Sequence, residues 1–519
     1  VWDGAVPYVM ANPMAAPNVF APRMRAVRLL GEEGMQKVVA AQEPGGSGDI
    51  YEGLNEDQKQ ALKEATSMGF PPKAWFDYPY MGDGALMVLV PAVYQMFPTY
   101  FKDFWEKEGY EGADPESNEA RAHMKLVTTV EHLDYDYAEP ELSEEEKNTV
   151  DTSWLNTILG GEKLPHIYLK DAIPADTYTY HCRFKVLDGA CAGKEINISS
   201  IDGNMLELHP ENDGKHENPF KELKPGDQVM IDNGDAIAMQ CFHRHQLPDE
   251  TYDVYDQFRN EDGSPKYTQL PMLVAPMTAI SGAGLMPTGN IHGKVIGICS
   301  MMDESACPWH GDWYRKAIGR CGIDEQDHFR LYYHDNSIHD DRAGYLDDPQ
   351  NQVDYLGTLH QALLDVAAWC EKGIEPFDTM NYTYADGQIT LPKGAKERGG
   401  MQPVVSAVVE NAAGQSDYDG KVTRAKVGEN ICFKAVIEVP PKAGKVTHAA
   451  WDYEKTNDWS NDEVIEAVDD TTYKIEADHV FTKPGIYYPV IKVASNRHGD
   501  AGDIFTQCKN LDRVKVIVE

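Results

Sequence analysis

An acid and a histidine each follow an apolar run that has the pattern of a buried strand. Asp303 comes just after KVIGICS (294–300), a continuous apolar run. His339 comes just after HFRLYYHD (328–335). Functional groups of open α/β sheets collect beyond the carboxyl ends of the strands, so we expect the two side chains to meet there. A carboxylate that orients an imidazole, with an imidazole that deprotonates a nucleophile, is the acid–base half of a Ser–His–Asp system.

Each of these residues also has a simpler interpretation. Asp303 could cap the helix that follows it, and His339 could be a surface loop residue. His334 is a competing base, but it lies at the end of the strand itself. His310 and Trp309, at the start of the next predicted helix, are candidates to line a substrate site.

The elements that would position the acid and the histidine alternate between strand and helix. A helix at about 309–319 separates the two predicted strands, and a strongly amphipathic helix at 353–373 follows them. Residues 1–10 (VWDGAVPYVM) are predicted to form a further short buried strand. This alternation is typical of an α/β fold with a parallel sheet.

The segment that contains both residues resembles a known superfamily. The runs KVIGICSMMDESACPWHGDWYRKAI, FRLYYHDNSIHDD and YLGTLHQALLDVAAWCEKG resemble the final strand–acid–helix–strand–His–helix unit of α/β-hydrolases. The resemblance covers residues 290–375 well and residues 1–10 loosely. It implies that Asp303 is the orienting acid and His339 the base, in the chain order acid then histidine.

The nucleophile of such an enzyme is missing from the sequence. α/β-Hydrolases carry it on a G-x-S-x-G elbow, and neither GGSGD (45–49) nor AISGAG (279–284) has that spacing. A three-stranded parallel sheet with an open edge is not expected to be stable alone. We therefore expect a companion polypeptide, or a removed segment N-terminal to Val1, to carry the early strands and the nucleophile.

Residues 1–165 are predicted to be the start of the hydrolase core followed by a helical cap. Asn55 is a predicted helix cap, and Ser143 with Glu146 forms a capping box. Residues 74–110, which include Trp75, are dense in aromatic side chains. They could form an apolar pocket for an acyl or aryl group, or they could be the core of the cap.

Residues 166–245 are predicted to be a small β insertion, and residues 246–400 to be the C-terminal part of the α/β core. The insertion contains short strands separated by Gly, Asp and Asn turns. His243 and His245 at its end would share one face of a strand, where they could line the site, bind zinc or be structural. No third ligand has an obvious spacing, so no metal site and no cofactor are predicted.

Residues 403–519 alternate between apolar and polar as strands of an immunoglobulin-like sandwich do. WDYE (451–454) and DHVFTKPGIYYPVIKV (478–493) resemble two motifs of PKD domains. The resemblance implies a spacer or binding module and an extracellular or periplasmic location. Lys455, Thr456 and Asn457 replace the second Gly-Asp of the family motif, so a calcium role does not carry over.

The composition excludes several classes of partner. The sequence has 84 acidic and 47 basic residues and a net charge of −37, which opposes binding to nucleic acid and to anionic membranes. The sequence contains no run of 18 or more apolar residues, which is the length that a membrane-spanning helix needs. The nine cysteines include no CxxC motif, and Cys182 with Cys191 is the closest candidate pair for a disulfide.

The sequence thus predicts a serine-type hydrolase of ester, lactone or amide bonds that acts through an acyl-enzyme, on a small and apolar or aromatic substrate. The fold class predicted is a partial α/β-hydrolase sheet with a helical cap and a small β insertion, plus a C-terminal all-β sandwich. One alternative is a non-catalytic binding or adhesion protein on a hydrolase-like scaffold. Another is a metal hydrolase that uses His243 and His245.

Overall fold

The computed structural model describes residues 3–10, 12, 14–82, 86–137, 163–208, 218–283, 286–339 and 350–519. The chain forms two compact units. The first contains residues 1–84, 247–265 and 275–519, and the second contains residues 85–246 and 266–274. The predicted capping box at Ser143 and Glu146 lies outside the described residues.

The strands are numbered in chain order: β1 Gly4–Ala5, β2 Lys125–Asp134, β3 His166–Leu169, β4 Arg183–Val186, β5 Glu195–Asp202, β6 Met205–Leu208, β7 Gln228–Asp232, β8 Lys294–Ser300, β9 Phe329–His334, β10 Thr383–Ala385, β11 Gln388–Thr390, β12 Val404–Glu410, β13 Val422–Ala425, β14 Asn430–Glu438, β15 Lys445–Asp452, β16 Glu466–Ala467, β17 Thr472–Val480, β18 Gly485–Tyr487, β19 Val490–Asn496, β20 Cys508–Arg513 and β21 Lys515–Val518. The α-helices are Ala15–Gln42, Glu56–Ser67, Val90–Met96, Tyr100–Glu106, Asn118–Ala122, Gly234–Cys241, Val274–Ala283, Trp309–Arg320, Glu325–His328, Leu356–Lys372 and Ala395–Arg398. The 3₁₀ helices are Pro72–Tyr80, Met87–Leu89, Glu111–Ala113, Phe242–His245 and Asp253–Phe258.

The first unit contains a parallel three-stranded sheet in the order β1–β8–β9. Strand β9 is buried along its whole length, and β8 from its second residue onward, as their continuous apolar sequences require. Gly297 in β8 leaves room for Met10, whose Sδ would lie 2.6 Å from a Cβ at that position. The predicted strand at residues 1–10 is much shorter in the structure, where Gly4–Ala5 alone pairs with β8.

The two edges of this sheet differ. Beyond β9, the backbone N–H of Met380 donates to the Leu331 carbonyl at 3.0 Å, and the Leu331 N–H donates to Thr379 Oγ1 at 3.2 Å. The 379–380 segment therefore covers the β9 edge. Within the described ranges, β1 pairs with β8 and with no other strand.

The helix Glu56–Ser67 begins where its sequence predicts. The Asn55 side chain accepts the Gln58 backbone N–H at 2.9 Å, and the Gln58 side chain accepts the Asn55 backbone N–H at 3.0 Å. The predicted cap is therefore a full capping box. The Ala15–Gln42 helix is interrupted at Gly31, whose φ of 59° is non-helical. A shared core joins this helix to Glu56–Ser67 and to Trp75.

The second unit contains a closed six-stranded barrel in the order β2–β3–β6–β5–β4–β7. It starts at Lys125 and so includes residues that the sequence assigned to a helical cap. The predicted boundary at residue 166 is therefore placed too late. Strand β2 owes its position to antiparallel pairing with β7, about 100 residues later, which no local pattern reveals.

Cysteines in the barrel are packed as apolar side chains. Cys182 and Cys191 are both buried and free, so the disulfide suggested by their spacing is absent. Burial raises the pKa of the Cys182 thiol to about 12, which makes it unreactive at neutral pH.

The C-terminal part of the first unit consists of strands from Val404 to Val518. They form sheets in the orders β12–β14–β17–β16, β13–β21–β18 and β15–β19–β20, which share one apolar core around Trp451 and Phe433. The Asp452 carboxylate accepts the backbone N–H groups of Thr456 and Asn457 at 2.9 and 2.8 Å. The Asp452 carboxylate thus closes the turn in which Lys455, Thr456 and Asn457 replace the Gly-Asp of the PKD motif.

The described residues contain no helix that is long and apolar enough to cross a membrane.

Candidate functional site

The register of the parallel sheet brings the ends of β8 and β9 to the same level. Ser300, the last residue of β8, pairs with His334, the last residue of β9. The loops that follow are tied together, because Met301 N–H donates to the His334 carbonyl and Met302 N–H to the Ser337 carbonyl, both at 2.9 Å. Residues a few positions beyond either strand are therefore held close to each other.

Asp303 lies in the first of these loops and is fixed by its backbone. Its Oδ1 accepts the N–H groups of Ser305 and Ala306 at 2.9 and 2.7 Å, which closes a turn before the Trp309–Arg320 helix. Only 1% of the residue is exposed. Buried Arg23 supports the same loop by donating to the Glu304 carbonyl at 3.1 Å. The carboxylate is thus held in one orientation.

His339 lies in the second loop and contacts the same carboxylate oxygen. Its Nδ1 is 2.9 Å from Asp303 Oδ1, and 29% of the side chain is exposed. An ionised carboxylate only accepts hydrogen bonds, so Nδ1 is the donor in this contact, and in the neutral imidazole Nε2 has the lone pair. This is the arrangement in which an aspartate sets the tautomer of a general base.

His310 lies nearby on the Trp309–Arg320 helix but is not accessible to a substrate. It is 1% exposed, and neither ring nitrogen has a hydrogen-bond partner in the described part of the chain. Burial lowers the pKa of this imidazole to about 3, although the charge of Asp303 acts in the opposite direction. The sequence placed His310 in a substrate site, whereas the structure places it as a neutral side chain in the interior.

Trp309 and Trp75, both predicted to line a substrate site, are core residues. Trp309 is 3% exposed, and its indole lies 2.0 Å from where a Cβ on Gly69 would stand. Trp75 is fully buried and packs on Phe70, with ring centroids 5.0 Å apart. Of the two interpretations of the aromatic segment 74–110, the structure supports the core for Trp75.

His334, the competing base, is also inaccessible. It is fully buried, with Nδ1 3.0 Å from Ser337 Oγ and the Gln402 amide within 3.3 Å of the ring. Burial lowers its pKa to about 4. His339 is therefore the histidine of this sheet edge that solvent reaches.

The neutral state of His310 predicts a dependence of stability on acid. The unfolded chain protonates this side chain near pH 6.5, whereas the folded protein does so only near pH 3. The unfolded state therefore binds more protons between these values, and the free energy of unfolding falls as the pH falls from about 6.5 towards 3. We expect the free energy of unfolding, measured with urea, to fall less between pH 7 and pH 4 in His310→Phe than in the unsubstituted protein.

The matched control for this substitution is His292→Phe, which changes an exposed histidine. It should leave the pH dependence as it is in the unsubstituted protein. Identical acid profiles for His310→Phe and the unsubstituted protein would contradict the buried neutral state.

His243 and His245 belong to the second unit and lie on the 3₁₀ helix Phe242–His245, not on a strand. Both are fully buried. His245 Nε2 is 3.1 Å from Glu111 Oε2, and its Nδ1 is 2.7 Å from the Thr268 carbonyl. Arg244 donates to Glu111 Oε1 at 2.8 Å. The imidazole of His245, which the sequence placed in a substrate site, is thus part of a buried ion-pair network and is engaged at both nitrogens.

One group of side chains in the described ranges could hold a metal ion: Asp303, Glu304 and His339, whose ligand atoms lie within 4.8 Å of one another. Two carboxylates and an imidazole are a donor set that divalent transition metals accept. However, Asp303 Oδ1 already accepts three hydrogen bonds. A metal ion at this position would therefore have to bind the other carboxylate oxygen, Oδ2, or displace one of these bonds.

Sequence reasoning missed a cationic cavity of about 550 Å³ at the same edge of the sheet. Asp335 and Asn336, which directly follow β9, lie in its wall together with Met302. Polar residues directly after a buried strand indicate a site at the carboxyl edge of the sheet, so the sequence did contain a signal for Asp335 and Asn336. The cationic residues that face them range from Lys73 to Arg513, so no local pattern connects them.

No protein-family model matches this chain, and no curated protein matches it either. The resemblances to α/β-hydrolases and to PKD domains therefore rest on the residues quoted above.

Proposed function

We propose that this chain carries the acid–base half of a serine-type hydrolase that cleaves ester, lactone or amide bonds. The observation that supports it is the 2.9 Å contact between Asp303 Oδ1 and His339 Nδ1, just beyond the carboxyl ends of β8 and β9. Both strands are buried and parallel, which makes their carboxyl edge the place where substrates of open α/β sheets bind.

The division of labour between the two residues follows from their environments. Asp303 is buried and held by two backbone N–H groups, so it keeps its position when the charge on its neighbour changes. His339 is partly exposed and can exchange protons with a substrate. Such a pair combines a fixed orienting group with an accessible base.

In the proposed reaction, His339 Nε2 takes the proton of a serine hydroxyl as its oxygen attacks the substrate carbonyl. The imidazolium that forms is stabilised by the Asp303 carboxylate. It then protonates the leaving alcohol or amine, which departs as the acyl-enzyme forms. Water repeats the sequence on the acyl-enzyme and releases the carboxylic acid, which returns both residues to their starting states.

We place the nucleophile outside these 519 residues, on a companion polypeptide or a preceding segment. The sequence contains no G-x-S-x-G elbow. The β9 edge of the sheet is covered by the 379–380 segment, whereas β1 pairs within the described ranges with β8 alone. A further parallel strand that carries the nucleophile at its carboxyl end would extend the sheet beside β1.

A second candidate function is a metal-dependent hydrolase at the same position. It is favoured by the proximity of Asp303, Glu304 and His339. In that reaction the metal would activate water, and no covalent intermediate would form. A non-catalytic binding protein is the remaining alternative.

One experiment separates these functions. The protein is isolated without denaturation from the cells that make it, treated with a fluorophosphonate, and digested for mass spectrometry, with a heat-denatured sample as the control. We expect an adduct on a serine that lies outside these 519 residues, on a polypeptide or segment that remains bound to them. Hydrolysis without an adduct that is abolished by EDTA would instead establish the metal enzyme. If neither labelling nor hydrolysis is observed, the remaining interpretation is a non-catalytic binding protein.

A further inference from the structure

A cavity of about 550 Å³ lies at the carboxyl edge of the parallel sheet, within the first unit. One wall is formed by Met302, Asp335 and Asn336, which follow β8 and β9. The first residues of β12 and the end of β20 also line the cavity, and Asn336 Nδ2 donates to Asn510 Oδ1 of β20 at 2.9 Å. This volume is in the range of sites for small molecules.

The charge of the cavity is opposite to that of the chain. Five cationic side chains line it: Lys73, Lys393, Arg398, Lys421 and Arg513. The carboxylates are Asp335 and Asp512 in the wall and Glu43, which pairs with Arg513. Five cations thus face three carboxylates in a protein whose net charge is −37. Such a local excess attracts anions.

The cations are held in place by the structure. Lys73 Nζ lies 3.3 Å from Asp335 Oδ1 and 2.8 Å from Asn336 Oδ1. Arg398 is 7% exposed, and its Nη1 lies 3.5 Å from Asp335 Oδ2. Burial alone would raise the pKa of Asp335, but Lys73 and Arg398 outweigh that effect and hold it below its usual value. This carboxylate therefore stays charged and fixes the two cations.

Two more cations of the cavity lining are anchored by carboxylates. Lys421 pairs with Asp512 Oδ2, which also accepts the backbone N–H of Ala407 at 2.7 Å. Arg513 is bidentate to Glu43, at 2.6 and 3.2 Å. These positions are preorganised, so a ligand would not have to order them.

Lys393 differs from the other four cations. It is exposed, and it has no ion pair or hydrogen bond with any residue in the described part of the chain. Its ammonium group is available to an anion without breaking an internal bond. The cavity also presents the apolar side chains of Phe76, Val405 and Leu511.

We propose that this cavity binds a small organic carboxylate, whose anionic group pairs with Lys393 and the neighbouring cations while its apolar part lies against Phe76, Val405 and Leu511. Asp335 and Asp512 limit the excess of positive charge, which favours an anion of low charge over a phosphate dianion. The site does not depend on the proposed hydrolysis, because binding requires neither Asp303 nor a nucleophile.

Isothermal titration of the full chain with phenylacetate, phenylacetamide and phenyl phosphate tests the proposal. We expect phenylacetate to bind and the isosteric neutral amide to bind at least about tenfold more weakly, because it lacks the charge-assisted bonds. Lys393→Glu should weaken phenylacetate binding by at least about tenfold, and Lys393→Gln by less. Lys396→Glu is the matched control, since Lys396 is exposed and lies outside the cavity wall.

Three outcomes would overturn the proposal. The first is equal binding of phenylacetate and phenylacetamide, and the second is an affinity that Lys393→Glu does not change. The third is no binding of phenylacetate at about 10 mM, where even millimolar affinity is detected. Tighter binding of phenyl phosphate would assign the cavity to phosphate esters and reject the carboxylate. Because binding is measured without turnover, none of these results bears on the hydrolase proposal, which can fail or hold separately.

Discussion

His339→Asn is expected to lower kcat for a p-nitrophenyl ester by about 10²–10⁴, the contribution of a positioned general base. The asparagine amide nitrogen can stand where Nδ1 now lies, 2.9 Å from Asp303 Oδ1, so the contact with the carboxylate is kept. The nitrogen that accepts the proton in the proposed reaction is lost. KM should change little, because the interaction removed is made mainly in the transition state.

The assay uses the protein isolated together with the polypeptide or segment that is proposed to carry the nucleophile. The chain offers a matched control in His448, whose Nδ1 is 3.0 Å from Asp462 Oδ2 on the exposed surface of the all-β part. His448→Asn changes an imidazole–carboxylate pair of the same geometry and should leave kcat unaltered. A His339→Asn enzyme with kcat within about twofold of the unsubstituted protein, well below the effect of a general base, would refute the role of His339.

Glu111→Ala is expected to destabilise the second unit by about 3–5 kcal/mol, the cost of leaving a buried charge unpaired. Glu111 binds both Arg244, at 2.8 Å, and His245, at 3.1 Å, and its side chain is 11% exposed. Removing it leaves the Arg244 guanidinium, which is 6% exposed, without its carboxylate. Hydrogen exchange of the backbone amides of the second unit, followed by mass spectrometry, measures the loss.

The pH dependence of this effect has a definite sign. Burial would raise the pKa of Glu111, but the hydrogen bond from His245 and the charge of Arg244 outweigh it and lower the pKa to about 2. A carboxyl whose pKa is lowered on folding stabilises the protein above its unfolded value. The stabilisation from Glu111 should thus be complete above about pH 4.5 and be lost as the pH falls towards 2.

An exposed ion pair in the same unit provides the comparison for Glu111. Lys102 and Glu106 lie 3.6 Å apart, and both side chains are more than half exposed. Glu106→Ala should cost less than about 1 kcal/mol, because exposed pairs are screened by solvent. If Glu111→Ala cost no more than Glu106→Ala, the buried network would not be a source of stability.

Much of the local structure could be predicted from the sequence, because it depends on neighbouring residues. The continuous apolar runs at 294–300 and 328–335 form buried parallel strands, as their composition requires. Asn55 caps a helix because its side chain reaches a backbone N–H three residues later. The positions of Asp303 and His339 after these strands followed from the same local patterns.

The sequence did not show which of the predicted site residues are buried, because burial is decided by distant residues. The sequence shows His310, Trp309 and Trp75 as polar or aromatic side chains near a predicted site, but not which face of each element packs inward. His245 is held by Glu111, 134 residues earlier in the chain, so its engagement cannot be read from the HRH motif.

By itself, the sequence determined the two buried strands β8 and β9, the helix capped by Asn55, and the order in which the acid and the histidine occur. The tertiary structure decided their 2.9 Å contact, because it depends on the register that sets Ser300 beside His334. It also decided that the barrel begins at Lys125, since strand pairing joins segments about 100 residues apart. The cationic cavity is likewise tertiary, because side chains from Lys73 to Arg513 meet only when the chain is folded.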